Sequence, residues 1–302
     1  MADQSVLENQ EQPDQEAMTQ VQVNPLTVKT THTLYIVPTP IGNLEDITLR
    51  ALRILREVRL IAAEDTRTTR VLLDRYDIRT PLTSYHEYNK LGKLDTVFDA
   101  LESGDVALVS DAGMPGISDP GYELIRAALN QDITVTVLPG ASAVITALVA
   151  SGLPTDGFVF LGFLPRKDKA LQEALAILRN ERRTLIAYES PNRLLDTLAA
   201  IVAVFGANRS VVVAREISKM HEELFRGTAQ IAFEHYTLQA PRGEITLVIG
   251  GALNDSSEAW TADRVRAVFS ARVDAGETRS DAARATAAES GWERRVIYKM
   301  LD

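Results

Sequence analysis

Val109-Ser110-Asp111-Ala112-Gly113-Met114-Pro115-Gly116-Ile117-Ser118-Asp119-Pro120-Gly121 is the stretch on which the fold of this chain turns. It follows an apolar run, Val106 to Ser110, suited to a buried strand, and precedes a helical pattern, Tyr122 to Leu129. Its glycines let a ligand approach the backbone closely, and its prolines hold the loop in one shape. Ser118 or Asp119 is expected to cap the following helix, with Pro120 in the first turn. In an open α/β sheet, ligands sit beyond the carboxyl ends of the strands, where this loop falls. A single Gly/Pro loop can equally be a plain structural turn, so its neighbours decide.

Two further loops share its setting. Pro38-Thr39-Pro40-Ile41-Gly42-Asn43 follows the strand pattern Leu34 to Val37, and Pro139-Gly140-Ala141-Ser142-Ala143 follows Ile133 to Leu138. The second opens a small-residue helix that ends near Gly152. Three such edges suggest one composite pocket. None is a G-x-G-x-x-G or phosphate-loop pattern, which disfavours a nucleotide-diphosphate cradle. Ser118 also misses the hydrolase G-x-S-x-G elbow, because two residues separate it from Gly121.

Further strands are expected at Leu60 to Ala63, Phe158 to Leu161, Thr184 to Tyr188, Ser210 to Ala214 and Glu244 to Ile249. Helices are expected from about Asp46, with Leu49, Leu52, Leu55 and Val58 on one stripe, and near Lys169 to Arg179 and Asn192 to Phe205. The alternation argues for an α/β class with a largely parallel first sheet. The expected division is a polar tail (1–30), an N-terminal α/β domain (31–153), a second α/β domain (154–253) and a helical C-terminal domain (254–302). Gly250-Gly251 and Asn254 to Ser257 read as the last linker, and Thr278 to Lys299 resembles a helix-turn-helix.

Of 302 residues, 45% are hydrophobic and 24% charged, ordinary for a globular protein, and no apolar run is long enough to suggest a membrane span. Without cysteine there is no disulfide, thiolate metal site or cysteine nucleophile, and a reducing, cytoplasmic setting is expected. The four histidines are scattered without metal spacing, so no metal is expected. Five acids against Lys29 place −4 of the net −9 in the first 30 residues, leaving −5. An acidic body argues against indiscriminate nucleic-acid binding but leaves room for a local basic surface.

Val37 to Asp46, Ala63-Glu-Asp-Thr-Arg67, Ser110 to Gly121 and Leu138 to Ser142 together resemble the ribosomal RNA small subunit methyltransferase I family, of the tetrapyrrole-methylase-like superfamily. The likeness continues through Gly162 to Lys167, Tyr188 to Arg193, Ala214 to Lys219 and Gly243 to Leu247, with Ile217-Ser218 where the family pattern has Leu-Thr. It implies S-adenosylmethionine in a cleft between two α/β domains, a homodimer, and 2′-O-methylation of a cytidine in 16S ribosomal RNA, free or in the 30S subunit. By motif position, Pro40, Ile41 and Gly42 would form one wall of the cofactor site. Asp111, Ala112, Gly113, Ile117 and Ser118 would form the facing loop, with Ser142, Ala143, Tyr188, Ala214 and Gly243 as neighbours. The same fold also hosts tetrapyrrole and other small-molecule methylases, and a non-catalytic ribosome-assembly factor would retain the same pocket.

A ribose hydroxyl is a poor nucleophile, so a base or a charge stabilising the developing alkoxide would help. Glu64, Asp65, Glu189 and Glu216 are candidate bases; Arg67, Arg193, Arg215 and Lys219 could orient phosphate or stabilise an oxyanion. Each has a structural alternative: Glu64 to Arg67 as a helix cap with an ion pair, Arg215-Glu216 as an inter-domain salt bridge. Candidate RNA contacts are Arg166-Lys167-Asp168-Lys169, Arg182-Arg183, Arg294, Arg295 and Lys299, with Tyr85, Tyr88 or Phe163 as stacking rings.

Overall fold

The computed structural model describes residues 31–86, 90–252 and 260–301; the 1–30 tail, Tyr88 and the 254–257 linker lie outside the described residues. The first half runs β1 (Thr33–Ile36), α1 (Leu49–Glu57), β2 (Leu60–Ala63), α2 (Thr66–Arg75), β3 (Leu82–Ser84), α3 (Lys90–Leu101), β4 (Val106–Val109), α4 (Tyr122–Asn130), β5 (Thr134–Val137) and α5 (Ala143–Ser151). Its strands pair in the order β3-β2-β4-β1-β5, all parallel. Strands buried on both faces read as unbroken apolar runs, and Val106 to Val109 is buried throughout. Leu52, Leu55, Leu72 and Leu73 of α1 and α2 cover one face, and Val97, Leu101, Leu124 and Ala128 of α3 and α4 cover the other. Adjacent β1 and β4 therefore send their outgoing chains to opposite faces, and a crevice opens at their carboxyl ends.

Two local expectations are corrected. α1 starts at Leu49, after a short 3-10 turn at Leu44–Asp46, and is capped by Thr48, whose hydroxyl accepts from Ala51 N–H at 3.0 Å. Leu49 is 85% exposed, and the buried stripe is Ala51, Leu52, Ile54 and Leu55. A strict three-residue spacing drifts around a 3.6-residue helix, so Leu49 and Val58 stand about half a turn apart. At α4, Gly121 (φ 144°) occupies the cap position without a side-chain bond, and neither Ser118 nor Asp119 caps it. A Cβ at Gly121 would come within 2.9 Å of Leu108 and 3.2 Å of Gly116 N. Ser118 instead takes a left-handed φ of 61°.

The second half runs β6 (Phe158–Phe163), α6 (Asp168–Ile177), β7 (Thr184–Glu189), α7 (Leu194–Phe205), β8 (Ser210–Arg215), β9 (Glu223–Thr228), α8 (Ala229–Leu238) and β10 (Ile245–Ile249). Its sheet, ordered β6-β7-β10-β8-β9, is mixed: only β6 and β7 run parallel. The edge strand β9 and helix α8 were not anticipated, because Glu223 and Arg226 interrupt the apolar alternation. Successive side chains alternate faces. Leu185, Ala187, Val211, Val213, Leu247 and Ile249 pack under α6, α7 and α8. Ile186, Val212, Ala214 and Val248 face the other way and take Val144, Ala147 and Leu148 of α5. Helix α5 thus belongs to the first half by sequence and to the second sheet by packing, which explains its apolar composition.

The C-terminal helices are α9 (Ala262–Asp274), α10 (Arg279–Ser290) and α11 (Arg294–Tyr298), around Val265, Phe269, Ala282, Ala283 and Ile297. Trp292 donates its indole N–H to Trp260 O at 3.0 Å, while Val296 is 44% exposed.

Candidate functional site

The three loops are fastened to one another. Thr39 and Gly113 exchange backbone hydrogen bonds at 2.9 and 3.0 Å, and the Thr39 hydroxyl donates to Ser110 O at 3.0 Å. Leu138 N–H donates to Ile36 O at 2.9 Å, and a Cβ at Gly140 would come within 2.6 Å of the Pro38 ring. These contacts make a rigid rim at the carboxyl ends of β1, β4 and β5. Between this rim and the α5-facing side of the second sheet lies a cavity of about 730 Å³.

The structure brings most of the expected binding residues to this cavity. Ile41, Asp111, Ala112 and Gly113 line it with Ile117 and Ser118; so do Ser142 and Ala143, and from the second half Tyr188, Ala214 and Gly243. Pro40 faces a separate hollow of about 260 Å³ beside Thr68 and Thr69. Gly42 packs against the second half, where a Cβ would come within 2.5 Å of Lys219 Cγ and 2.9 Å of Ile217 O. Ser218 Oγ donates to Asp46 on the same side, so the loop after β8 is tied to the loop after β1. Glu216 and Ser218 hold left-handed φ values of 51° and 66° in this tie, a backbone cost of order 1 kcal/mol each.

The candidate catalytic residues divide. Glu64 lines the cavity, its Oε2 accepting from Asp111 N–H at 3.2 Å, while Asp111 Oδ1 accepts from Asp65 N–H at 3.0 Å. Asp65 caps α2 and grips Arg67 at 2.6 Å, and these bonds to Arg67 hold its carboxyl down at about 2. Glu189 borders the cavity, but its carboxylate is engaged elsewhere: it accepts from Thr197 Oγ1 at 2.6 Å and Ser190 N–H at 2.8 Å, with Arg193 at 3.4 Å. Arg215 pairs with Glu223 at 2.7 Å on β9, not with Glu216. Lys219 bridges Glu216 at 2.9 Å and Glu244 at 3.1 Å. Arg215, Lys219 and Arg67 are thus each committed to carboxylates.

Asp119, read from the sequence only as a cap, turns into the cavity, with the Ser110 hydroxyl beside it. Burial, followed by the charge of Glu64, pushes it up to about 7. Burial also raises Glu64 and Asp111, and pushes Tyr188 up to about 12. Glu244, Phe160 and Thr246 line the cavity too. Glu244 sits inside a quoted motif, so position signalled it; Phe160 was legible only as strand. Tyr85, proposed as a stacking ring, is fully buried in the core, whereas Phe163 is 60% exposed at the cavity, 5.5 Å from the Tyr188 ring.

Residues 33–232 match the family model of the tetrapyrrole (corrin/porphyrin) methylases. A Synechocystis protein named ribosomal RNA small subunit methyltransferase I is 47% identical over 268 residues, covering 88% of this chain and 96% of that one. A Thermotoga maritima protein of the same name is 49% identical over 72% of this chain and 98% of its own. Among solved structures, a uroporphyrin-III C-methyltransferase of Thermus thermophilus, complexed with S-adenosylhomocysteine, superposes with a TM-score of 0.53. It is 17% identical and covers 72% of this chain and 97% of that one, a likeness of fold. With this sheet order, this inter-sheet cavity and these relatives, the chain belongs to the ribosomal RNA small subunit methyltransferase I family, within the tetrapyrrole methylases.

Proposed function

We propose that this protein transfers the methyl group of S-adenosylmethionine to the ribose 2′-hydroxyl of a cytidine in 16S ribosomal RNA, free or within the 30S subunit. The carrying observation is the 47% identity that reaches across 96% of a small-subunit RNA methyltransferase relative. The cavity residues suit the donor: Glu64 and Asp111 face a ligand bearing sulfonium and ammonium charges, and Phe160 and Tyr188 offer ring surface to a purine. Bound there, S-adenosylmethionine supplies an electrophilic methyl group. The loop rim and α5 contribute by fixing geometry and excluding water.

Phe163 at the cavity edge is suited to stacking on the acceptor base, with exposed Arg166 and Lys167 close behind in sequence for phosphates. The proposal keeps the domain division at 153/154 and 253/254, a cytoplasmic setting and a homodimer. For the last, Val137 of the sheet edge and Val149 of α5 are 55% and 68% exposed. No described helix is long and apolar enough to cross a membrane.

Labelled methyl groups from S-adenosylmethionine should appear on small-subunit RNA as a 2′-O-methylcytidine, and nucleoside analysis of cells lacking the protein should show that nucleoside missing. Label on porphyrinoids and none on RNA would replace the reading with a tetrapyrrole methylase. Donor binding without turnover on 30S particles or naked RNA would replace it with an assembly factor.

A further inference from the structure

We propose that Asp119 is the group that accepts the proton of the acceptor hydroxyl during methyl transfer, and that Ser110 positions it. The inference rests on the reading above and concerns a residue outside the candidate catalytic set drawn from the sequence.

The first argument is commitment. Among the described cavity carboxylates, Glu64 and Asp111 each accept from a backbone N–H, and Glu244 is paired with Lys219. Glu189 borders the cavity, but its carboxylate is engaged by Thr197, Ser190 and Arg193. Asp119 has a neutral hydroxyl beside it, that of Ser110, and no described cation pairs with it. No histidine lines the cavity among the described residues, and Tyr188 keeps its proton through the physiological range.

The second argument is accommodation of both protonation states. Ser110 Oγ lies within reach of Asp119 and 3.4 Å from Gly113 O. When Asp119 is ionised, the serine donates to it. When Asp119 is protonated, its O–H can donate to Ser110 Oγ, and the serine turns its own proton to the Gly113 carbonyl. Ser110 is 1% exposed and its backbone oxygen is held by Thr39, so this switch needs no movement of the rim. Neither state leaves a buried polar atom without a partner.

The third argument is charge balance. The bond from methyl carbon to sulfur breaks as the bond from methyl carbon to the acceptor oxygen forms; the sulfur keeps the bonding pair and loses its positive charge. The O–H bond breaks, and its proton passes to a carboxylate oxygen of Asp119. One positive and one negative charge vanish together, so the enclosed region keeps its net charge, which a low-dielectric site favours. Glu64 at the end of β2, Asp111 after β4 and Glu244 at the start of β10 face Asp119 from three elements and resist its ionisation before the cationic donor arrives. Burial adds to them and brings its proton affinity to about 7, near the optimum for a base at neutral pH.

The test combines single-turnover methyl transfer to 30S subunits from pH 5.5 to 9, calorimetric binding of S-adenosylhomocysteine, and thermal unfolding of the ligand-free protein across pH. Wild type should show a rate that rises with pH and levels off below about 7, because the cationic donor lowers the proton affinity of the ligand-free site. Asp119→Asn should lower the rate ~10²–10⁴-fold and abolish that limb while leaving S-adenosylhomocysteine affinity within about threefold. Asp119→Glu should keep a carboxylate limb and recover part of the rate, and it carries the test if Asp119→Asn does not fold. Ser110→Ala should move the limb. In the ligand-free protein a raised carboxyl binds its proton more tightly folded than unfolded, so wild-type stability should fall as pH rises from about 4 to 7, and Asp119→Asn should reduce that fall to the part that Glu64 and Asp111 contribute. A rate limb that survives Asp119→Asn, or a stability slope that it leaves unchanged, overturns the proposal, as does a parallel loss of product affinity. A wild-type protein that leaves RNA unmethylated removes the reading beneath it, and the proposal goes with that reading.

Discussion

The first sheet meets the cavity with its loops, whereas the second meets it with one face of its pleat. In the parallel sheet, residues reach the ligand because the chain leaves every strand at the same end, and Thr39, Ser110, Gly113 and Gly140 fasten those exits together. In the mixed sheet the chain leaves in both directions, and a residue's role depends on the parity of its position. Tyr188 and Ala214 face α5 and line the cavity; Glu189 borders it too, but its carboxylate and the Arg215 guanidinium pair with Arg193 and Glu223 instead. A motif in the first half therefore tolerates being read as a block. In the second half it has to be read residue by residue.

Substitutions at neighbouring positions can break this contrast. Glu189→Ala should cost about 3 kcal/mol by leaving Thr197 and Arg193 without their buried carboxylate, yet change product affinity less than twofold; urea unfolding and calorimetry separate the two. Ala214→Leu should do the reverse, weakening S-adenosylhomocysteine binding by ~10²-fold (about 2.7 kcal/mol) at a smaller stability cost, because the added carbons enter the cavity. If both variants lost binding equally, the parity argument would be wrong.

Two smaller effects sharpen the picture of the first half. Thr48→Ala should cost about 1 kcal/mol through the lost cap of α1, read as a shift in the urea midpoint without a change in slope. Asp65 is held low by Arg67, so its contribution is present above the ordinary carboxylate range near pH 4 and fades as pH falls through about 2. Arg67→Ala should flatten that acid limb and lower stability at pH 7 by the same amount, a small loss because the guanidinium is exposed.

The loop at Ser110 to Gly121 was legible as a ligand-facing corner because strand, Gly/Pro chemistry and helix follow one another in sequence. The same loop misled at Asp119. A carboxylate two residues before a helix has the local signature of a cap, and only the inward turn at Ser118, with Gly121 taking the cap position, sends it elsewhere. The family likeness located Glu189 and Arg215 by motif, but no local pattern states which face of a strand meets a ligand when both faces are buried. Strand β9 was missed for a related reason: an edge strand carries polar residues that weaken its alternation.

By itself the sequence determined the α/β class, the parallel first sheet, the three corner loops and the family, because apolar periodicity, turn chemistry and motif order are all local. Tertiary structure alone decided that α5 packs on the second sheet, that Pro40 and Gly42 face away from the cavity, and that Asp119 turns into it. Those outcomes depend on which surfaces meet across the chain, and burial and charge act through that meeting, whatever the spacing of the residues.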